Sequence, residues 1–225
     1  MGENSGNTSS KDSRKLTNAE IRRKENFGKI EKDLLEKGYK RVDLTVSLMK
    51  ANTVGVLMTL PLMAAVTIAY MIYNHGLRDE VRVLPWPLYM DGFAFFLITI
   101  LMVVIHEGIH GLSWSLGTPH HLKDIEFGFV VKMLTPYCTC KVPISIPLYV
   151  FGSLMPMTLL GIIPGIVCIF FGSSLLLAIF IIQILAGAGD LLISCMVIRH
   201  MCRTKCKDVV LIDHPHDCGA VIFEK

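Results

Sequence analysis

The sequence is short of charged side chains. Asp, Glu, Lys and Arg make up 18% of the 225 residues, whereas hydrophobic residues make up 52% and the mean hydropathy is +0.52. A soluble domain usually carries about a quarter of its residues as charged side chains, so this class is excluded. Disordered chains are excluded because they need low hydrophobicity and high net charge, and this chain carries only +3. The composition therefore predicts an integral membrane protein.

Four apolar stretches are long enough to cross a bilayer, whose hydrocarbon core of about 30 Å requires about 20 helical residues. They predict an all-α integral membrane protein with four transmembrane helices, at residues 51–73, 92–116, 147–171 and 175–198. The chain is then divided into a cytoplasmic N-terminal segment (1–50), a four-helix transmembrane core (51–198) and a cytoplasmic C-terminal tail (199–225).

Basic residues are nearly absent from one side of the predicted bundle. Four spans place both termini and the 117–146 connection on one side, and residues 1–50, 117–146 and 199–225 carry twelve, three and five Lys or Arg residues. The opposite side carries only Arg78 and Arg82. Because basic connections stay in the cytoplasm, we expect a multi-pass protein of the cell membrane with both termini cytoplasmic.

The N-terminal segment predicts an amphipathic cytoplasmic helix after a disordered tip at residues 1–16. Thr17 and Glu20 fit a capping box, and Gly38 is a typical helix end. A helical apolar stripe is formed by Ile21, Phe27, Ile30 and Leu34. The helix either docks on the inner leaflet of the membrane or packs on the rest of the protein.

Short β elements are predicted in the 117–146 connection and in the tail. The segments concerned are 125–133, 137–142, 209–212 and 220–223. The first two either form a plain hairpin or offer a strand edge to an extended peptide. The tail also contains possible metal ligands whose spacing fits no standard zinc pattern, namely Cys202, Cys206, His214, His216 and Cys218.

Only four Asp, Glu, His, Lys or Arg residues lie within the predicted spans, and such residues usually mark function. Three of them, His106, Glu107 and His110, form an H-E-x-x-H pattern. Residues four apart share a helix face, so two imidazoles can bind one zinc ion, while the adjacent Glu107 is placed to act as a general base and acid. The alternative is a pair of neutral, hydrogen-bonded histidines beside a protonated Glu107.

The fourth residue, Asp190, is the expected third metal ligand. Spans two and four run in the same direction, and counting residues along them puts Asp190 at the depth of His106. The small residues 186–189 are expected to let the fourth span approach the metal-binding helix closely. Cys195 is a weaker alternative ligand, and a hydrogen bond between helices is the alternative role for Asp190.

His106-Glu107-Gly108-Ile109-His110-Gly111 in one span, followed by a Pro-rich span and a small-residue run ending in Asp190, resembles the family of "Putative zincin peptidases". The arrangement is similar to the three-helix core of site-2-type intramembrane metalloproteases. The resemblance covers residues 92 to about 222. It implies zinc as the cofactor, with His106, His110 and Asp190 as ligands and Glu107 as the catalytic acid and base.

The sequence therefore favours a zinc-dependent, membrane-embedded metallopeptidase that cleaves a peptide or membrane-protein substrate near the cytoplasmic half of the bilayer. A metal sensor or transporter without hydrolysis is the first alternative. The second alternative is a structural membrane subunit in which the metal only holds two helices together. No nucleic-acid partner is expected, and the oligomeric state is left open.

Overall fold

The computed structural model describes residues 18–76, 88–130, 135–215 and 217–225. The predicted tip at 1–16, Thr17, Arg78, Arg82 and His216 lie outside these residues. The α-helices are α1 (Asn18–Glu36), α2 (Leu48–Asn74), α3 (Leu88–Ser115), α4 (Ile146–Pro156), α5 (Ile163–Phe171), α6 (Ser174–Ala186) and α7 (Ala188–Met201). The strands are β1 (Lys40–Val46), β2 (Ile125–Val130), β3 (Thr135–Cys140), β4 (Ile144–Ser145), β5 (Val209–Asp213) and β6 (Cys218–Glu224).

Within the described parts of the chain, four helical segments are long and apolar enough to cross a membrane. They are Leu48–Asn74, Gly92–Ser115, Ile146–Phe171 and Ser174–Met201. Each matches a stretch predicted from the sequence, with ends that differ by at most three residues. The prediction of four long apolar helices is therefore confirmed.

The third and fourth of these segments are not regular helices throughout. A π-helical turn, Met157–Ile162, joins α4 to α5 directly after Pro156, which lacks the N–H of a regular helix. The fourth segment breaks at Gly187, where α6 ends and α7 begins. Asp190 therefore lies in the first turn of a helix, where the unpaired N–H groups favour a carboxylate.

A four-stranded antiparallel sheet ties together parts of the chain that are far apart in sequence. Its order is β1-β6-β5-β4, so it contains the N-terminal segment, the tail and the end of the connection before α4. The sequence predicted β5 and β6 but missed β1, although Val42, Leu44 and Val46 alternate as a half-buried strand requires. These three segments therefore meet at one end of the helical bundle.

Helix α1 packs on this sheet. Its residues Phe27 and Leu34 are buried against Ile212, Val221 and Phe223. The N-terminal helix therefore packs on the rest of the protein, which is one of the two alternatives that the sequence left open. Burial of Phe27 and Leu34 removes them from water and fixes α1 over β5 and β6, whereas Ile21 of the predicted stripe is exposed.

The 117–146 connection folds back along α3. Its strands β2 and β3 pair in antiparallel fashion, with Phe127 opposite Cys138 and Ile125 opposite Cys140. Strand β2 begins at Ile125 as predicted, and the predicted residues 131–133 lie outside the described residues. Strand β3 has the predicted length but begins at Thr135 and ends at Cys140, two residues earlier than predicted. Strand β3 lies against α3, which places it beside the H-E-x-x-H residues.

Candidate metal centre and its cavity

Two histidine side chains lie one turn apart on the same face of α3. His106 and His110 have ring centroids 4.9 Å apart. Only 5% and 4% of their surfaces are exposed, so both are shielded from solvent by the protein itself. Glu107, the next residue after His106, is half-buried and faces a cavity.

Asp190 reaches both histidines from α7. Its Oδ2 lies 3.4 Å from Nε2 of His106 and 3.5 Å from Nε2 of His110. One possible ligand atom from each of the three residues lies within 4.8 Å of the other two. Among the residues that the structure describes, this is the only group of three or more His, Cys, Asp or Glu side chains so arranged, and Cys195 does not join it.

The two separations from Asp190 are compatible with a shared zinc ion. Zinc bonds of about 2.0–2.1 Å at tetrahedral angles place neighbouring ligand atoms about 3.3–3.4 Å apart. A hydrogen bond from a protonated imidazole to a carboxylate would be shorter, about 2.7–2.9 Å. Two imidazoles and one carboxylate also form a common catalytic zinc set, in which the fourth position is left open. The residues therefore fit the metal that the sequence implied.

The backbone of α4 orients His110. Nδ1 of His110 lies 2.9 Å from the carbonyl oxygen of Gly152, which can only accept a hydrogen bond. The ring proton is therefore on Nδ1, and the Nε2 lone pair is directed at Asp190, as metal-binding histidines require. Nδ1 of His106 is buried and has no hydrogen-bond partner within the described parts of the chain.

Two aromatic rings continue from His110 away from the metal centre. The His110 ring stacks on Trp114 with centroids 5.1 Å apart, and Trp114 stacks on Tyr149 at 5.7 Å. Trp114 Nε1–H donates to the Tyr149 carbonyl oxygen at 3.2 Å. Sequence reasoning missed both rings, although Trp114 lies four residues after His110 and so shares its helix face.

A cavity of about 600 Å³ opens beside the three converging residues. Its walls come mainly from α3, α7 and β3, with further residues from α1, α4, α6, the end of β1, the start of α2, the end of β5 and the start of β6. The described lining residues are Arg23, Val46, Ser47, Leu48, His106, Glu107, His110, Trp114, Pro136, Tyr137, Cys138, Thr139, Tyr149, Ala186, Gly189, Asp190, Ile193, Asp213, Asp217, Cys218 and Gly219. Its volume falls within the range of small-ligand and peptide side-chain sites.

The two thiols in the cavity wall are neutral. Burial, reinforced by the Glu107 and Asp213 carboxylates, raises the pKa of the Cys138 thiol far above its usual range. Burial and the nearby Asp190 raise the pKa of Cys218 in the same direction. Because a thiol must ionise to act as a nucleophile, neither cysteine is suited to that role at neutral pH.

Asp213, at the end of β5, is a further polar group of the cavity that sequence reasoning missed. Its Oδ2 accepts hydrogen bonds from Thr139 Oγ1 at 2.8 Å and from the Cys140 backbone N–H at 3.4 Å. Its Oδ1 accepts one from the Tyr149 hydroxyl at 3.2 Å. Burial raises the pKa of Asp213, and these hydrogen bonds partly offset that effect. The residue follows a predicted strand directly, but nothing local in the sequence indicates its partners.

The small residues before Asp190 do not bring α7 against the metal-binding helix, so that prediction was wrong. A Cβ atom at Gly187 would lie 2.6 Å from Met157 Cβ, and one at Gly55 of α2 would lie 2.7 Å from the Ala188 carbonyl oxygen. The run therefore permits close packing on the first and third spans. At Gly189 a Cβ would meet nothing within 4 Å, because this residue faces the cavity.

The fold and the site define a protein with four membrane-length helices and a zincin-type candidate metal centre. Residues 99–204 match the family described as "Putative zincin peptidase", and the resemblance expected from the sequence is confirmed for this segment. The match indicates a zinc metallopeptidase, and it includes His106, Glu107, His110 and Asp190. No curated protein and no solved structure matches the chain.

Proposed function

We propose that this protein is a zinc-dependent, membrane-embedded metallopeptidase that hydrolyses a peptide bond at or near the cytoplasmic half of the membrane. The convergence of His106, His110 and Asp190 at the wall of a cavity, with Glu107 beside them, carries the proposal. A metal that only held two helices together would not require an open cavity of about 600 Å³ at its ligands. It would also not require a carboxylate directed into that cavity.

In this proposal the three ligands hold the metal and Glu107 moves protons. A bound zinc ion would supply Lewis acidity, which polarises the scissile carbonyl and makes water a stronger acid. Glu107 would take a proton from the attacking water and later pass it to the leaving amine. The hydrogen bond to Gly152 would keep His110 in the tautomer that leaves Nε2 free for binding.

The substrate we propose is an extended peptide segment that pairs with the edge of β3. The Cys140 N–H points away from β2, toward Asp213, and Cys138 is two residues earlier in the strand. Residues two apart in a strand point their backbone groups to the same side. The N–H and carbonyl of Cys138 therefore also point away from β2, toward the side on which the cavity lies. The backbone of Cys138 also lies close to the Glu107 carboxylate. A peptide added at this edge would pass beside the proposed acid and base.

We further propose that the protein lies in the cell membrane with both termini in the cytoplasm. The Lys and Arg asymmetry of the connections supports this orientation. The four-stranded sheet agrees with it, because the N-terminal segment, the tail and the 117–146 connection all contribute strands at one end of the bundle. The lipid bilayer would surround the four long helices.

The test is to purify the wild type and Glu107→Gln in detergent, measure bound zinc by mass spectrometry, and assay both with fluorescein-labelled casein. Cleavage by the wild type alone, with one zinc ion per chain in both proteins, is the expected result. Equal cleavage by both proteins would refute the role of Glu107. Zinc in both without cleavage of casein or of a membrane-segment peptide library would instead favour a metal sensor, a transporter or a structural subunit.

A further inference from the structure

Asp213 connects two walls of the cavity that are otherwise independent. One carboxylate oxygen binds Thr139 and the Cys140 backbone in β3, and the other binds the hydroxyl of Tyr149 in α4. The partners are 64 to 74 residues away in sequence. The Asp213 side chain is half-buried in the cavity wall, and all three of these hydrogen bonds come from protein donors.

The α4 side of this connection leads to the metal centre. Tyr149 is 4% exposed, and its buried hydroxyl donates to Asp213. The Tyr149 ring stacks on Trp114, which in turn stacks on His110. A shift of Tyr149 would therefore be passed through Trp114 to the ring of a proposed metal ligand, because the three rings stack one on the next.

The β3 side leads to the proposed substrate edge. Thr139 is buried, and its neighbour Cys138 has its backbone close to the Glu107 carboxylate. Strand β3 pairs only with β2 among the described strands, so its other edge has no strand to hold it. On that side the hydrogen bonds to Asp213 connect the end of β3 to β5.

We propose that Asp213 is a positioning residue for the hydrolysis: it fixes the separation between the β3 edge and the His110 side of the metal centre. This inference rests on the proposed function. Catalytic groups must be held within about 0.5 Å of their productive positions. A carboxylate that spans the strand and the aromatic stack can impose that restraint without touching the metal or the substrate.

The first test compares Asp213→Asn and Tyr149→Phe with wild type. Asparagine keeps one accepting oxygen and replaces the other with a donor, so one wall loses its acceptor. We expect both variants to keep one zinc ion per chain and to lose about 10- to 100-fold in kcat/KM, the range typical of outer-sphere partners. We expect the double variant to lose less than the product of the two single losses, because both break the same connection.

Asp208→Asn is the matched control. Asp208 also accepts a hydrogen bond from a tyrosine hydroxyl, that of Tyr39 at 2.6 Å, but it is exposed and lies outside the cavity. The kcat/KM of Asp208→Asn should equal that of the wild type. Wild-type kcat/KM in Asp213→Asn, or multiplicative losses in the double variant, would overturn the inference. If Asp213→Asn does not fold, the kcat/KM of Tyr149→Phe decides instead, because this variant removes only one hydroxyl. A wild-type value in Tyr149→Phe would then overturn the inference.

A second readout separates this inference from the proposed function. Cobalt substituted for zinc gives visible absorption bands that depend on ligand geometry. Shifted bands in Asp213→Asn and Tyr149→Phe, with unchanged bands in Asp208→Asn, would support the positioning role even if no peptide were cleaved. Identical bands in all four proteins would overturn it. A wild type that binds neither zinc nor cobalt would overturn the proposed function and the positioning role together.

Discussion

Gly152 should tolerate no side chain, although it lies inside a helix where alanine is normally preferred. Its carbonyl oxygen accepts the hydrogen bond from Nδ1 of His110. A Cβ atom built on it would come far inside van der Waals contact of Cδ1 and Nε1 of Trp114. The Trp114 ring is restrained from moving aside because it stacks on both His110 and Tyr149 and donates a hydrogen bond to the Tyr149 carbonyl oxygen.

The size of the effect follows from two opposing contributions. Replacing glycine by alanine in a helix interior stabilises it by about 1 kcal/mol. Overpacking a well-packed core costs about 1–3 kcal/mol, and the upper part of that range applies here because the contacted Trp114 ring also stacks on His110 and Tyr149. We therefore expect Gly152→Ala to lose about 1–2 kcal/mol of unfolding free energy. Displacement of Trp114 or of the Gly152 carbonyl should also weaken zinc binding by about 10- to 100-fold.

The assay is competition for zinc against a chelator of known affinity, with thermal unfolding measured on the same samples. Gly108→Ala is the matched control, because Gly108 lies on α3 and a Cβ there would meet nothing within 4 Å. The control should bind zinc as the wild type does and unfold at the same or a slightly higher temperature. Wild-type zinc affinity and unfolding temperature in Gly152→Ala would refute the reasoning.

Three other predictions follow from the same structure. Asp190→Asn should lose most of its zinc in the chelator competition, because the variant replaces an anionic ligand by a neutral amide; full retention would show that Asp190 is not a ligand. Gly161→Ala should destabilise the protein by about 1–3 kcal/mol in thermal unfolding, since its Cβ would lie 2.8 Å from the Ile184 backbone nitrogen; unchanged stability would contradict that packing. The hydrogen bond from His200 lowers the pKa of Glu224 below its usual value of 4.5, so its stabilising effect is present above that pH and is lost as the pH falls through the lowered value. The difference in melting temperature between wild type and Glu224→Gln should therefore shrink between pH 6 and pH 3, and a constant difference would contradict it.

The features that could be predicted from the sequence depend on local spacing. Long apolar stretches indicate membrane helices because every backbone polar group must be satisfied within the segment when lipid surrounds it. The spacing of His106 and His110 places both on one helix face whatever the rest of the fold does. Asp190 could be nominated because it is the only carboxylate in the spans apart from Glu107.

The features that could not be predicted depend on contacts between distant segments. Strand β1 is recognisable as a half-buried strand, but its pairing with β6, Lys40 opposite Glu224, joins opposite ends of the chain. The three partners of Asp213 come from β3 and α4, and no pattern around residue 213 indicates them. The small-residue run before Asp190 shows the same limit, since small residues indicate close packing but not which helix is the neighbour.

The candidate metal ligands and the residues that complete the cavity around them come from different parts of the chain. The segment that matches the zincin peptidase family, residues 99–204, contains the three candidate ligands and Glu107. The cavity is completed from outside this segment by Arg23 of α1, by Ser47 and Leu48 at the start of α2, and by Asp213 and Gly219 of the tail. Those outer residues are held in place by the sheet in which β1 pairs with β6. A change in β1 would therefore alter the shape of the cavity while leaving the metal ligands in α3 and α7 intact, so under the proposed function substrate preference can vary separately from metal binding.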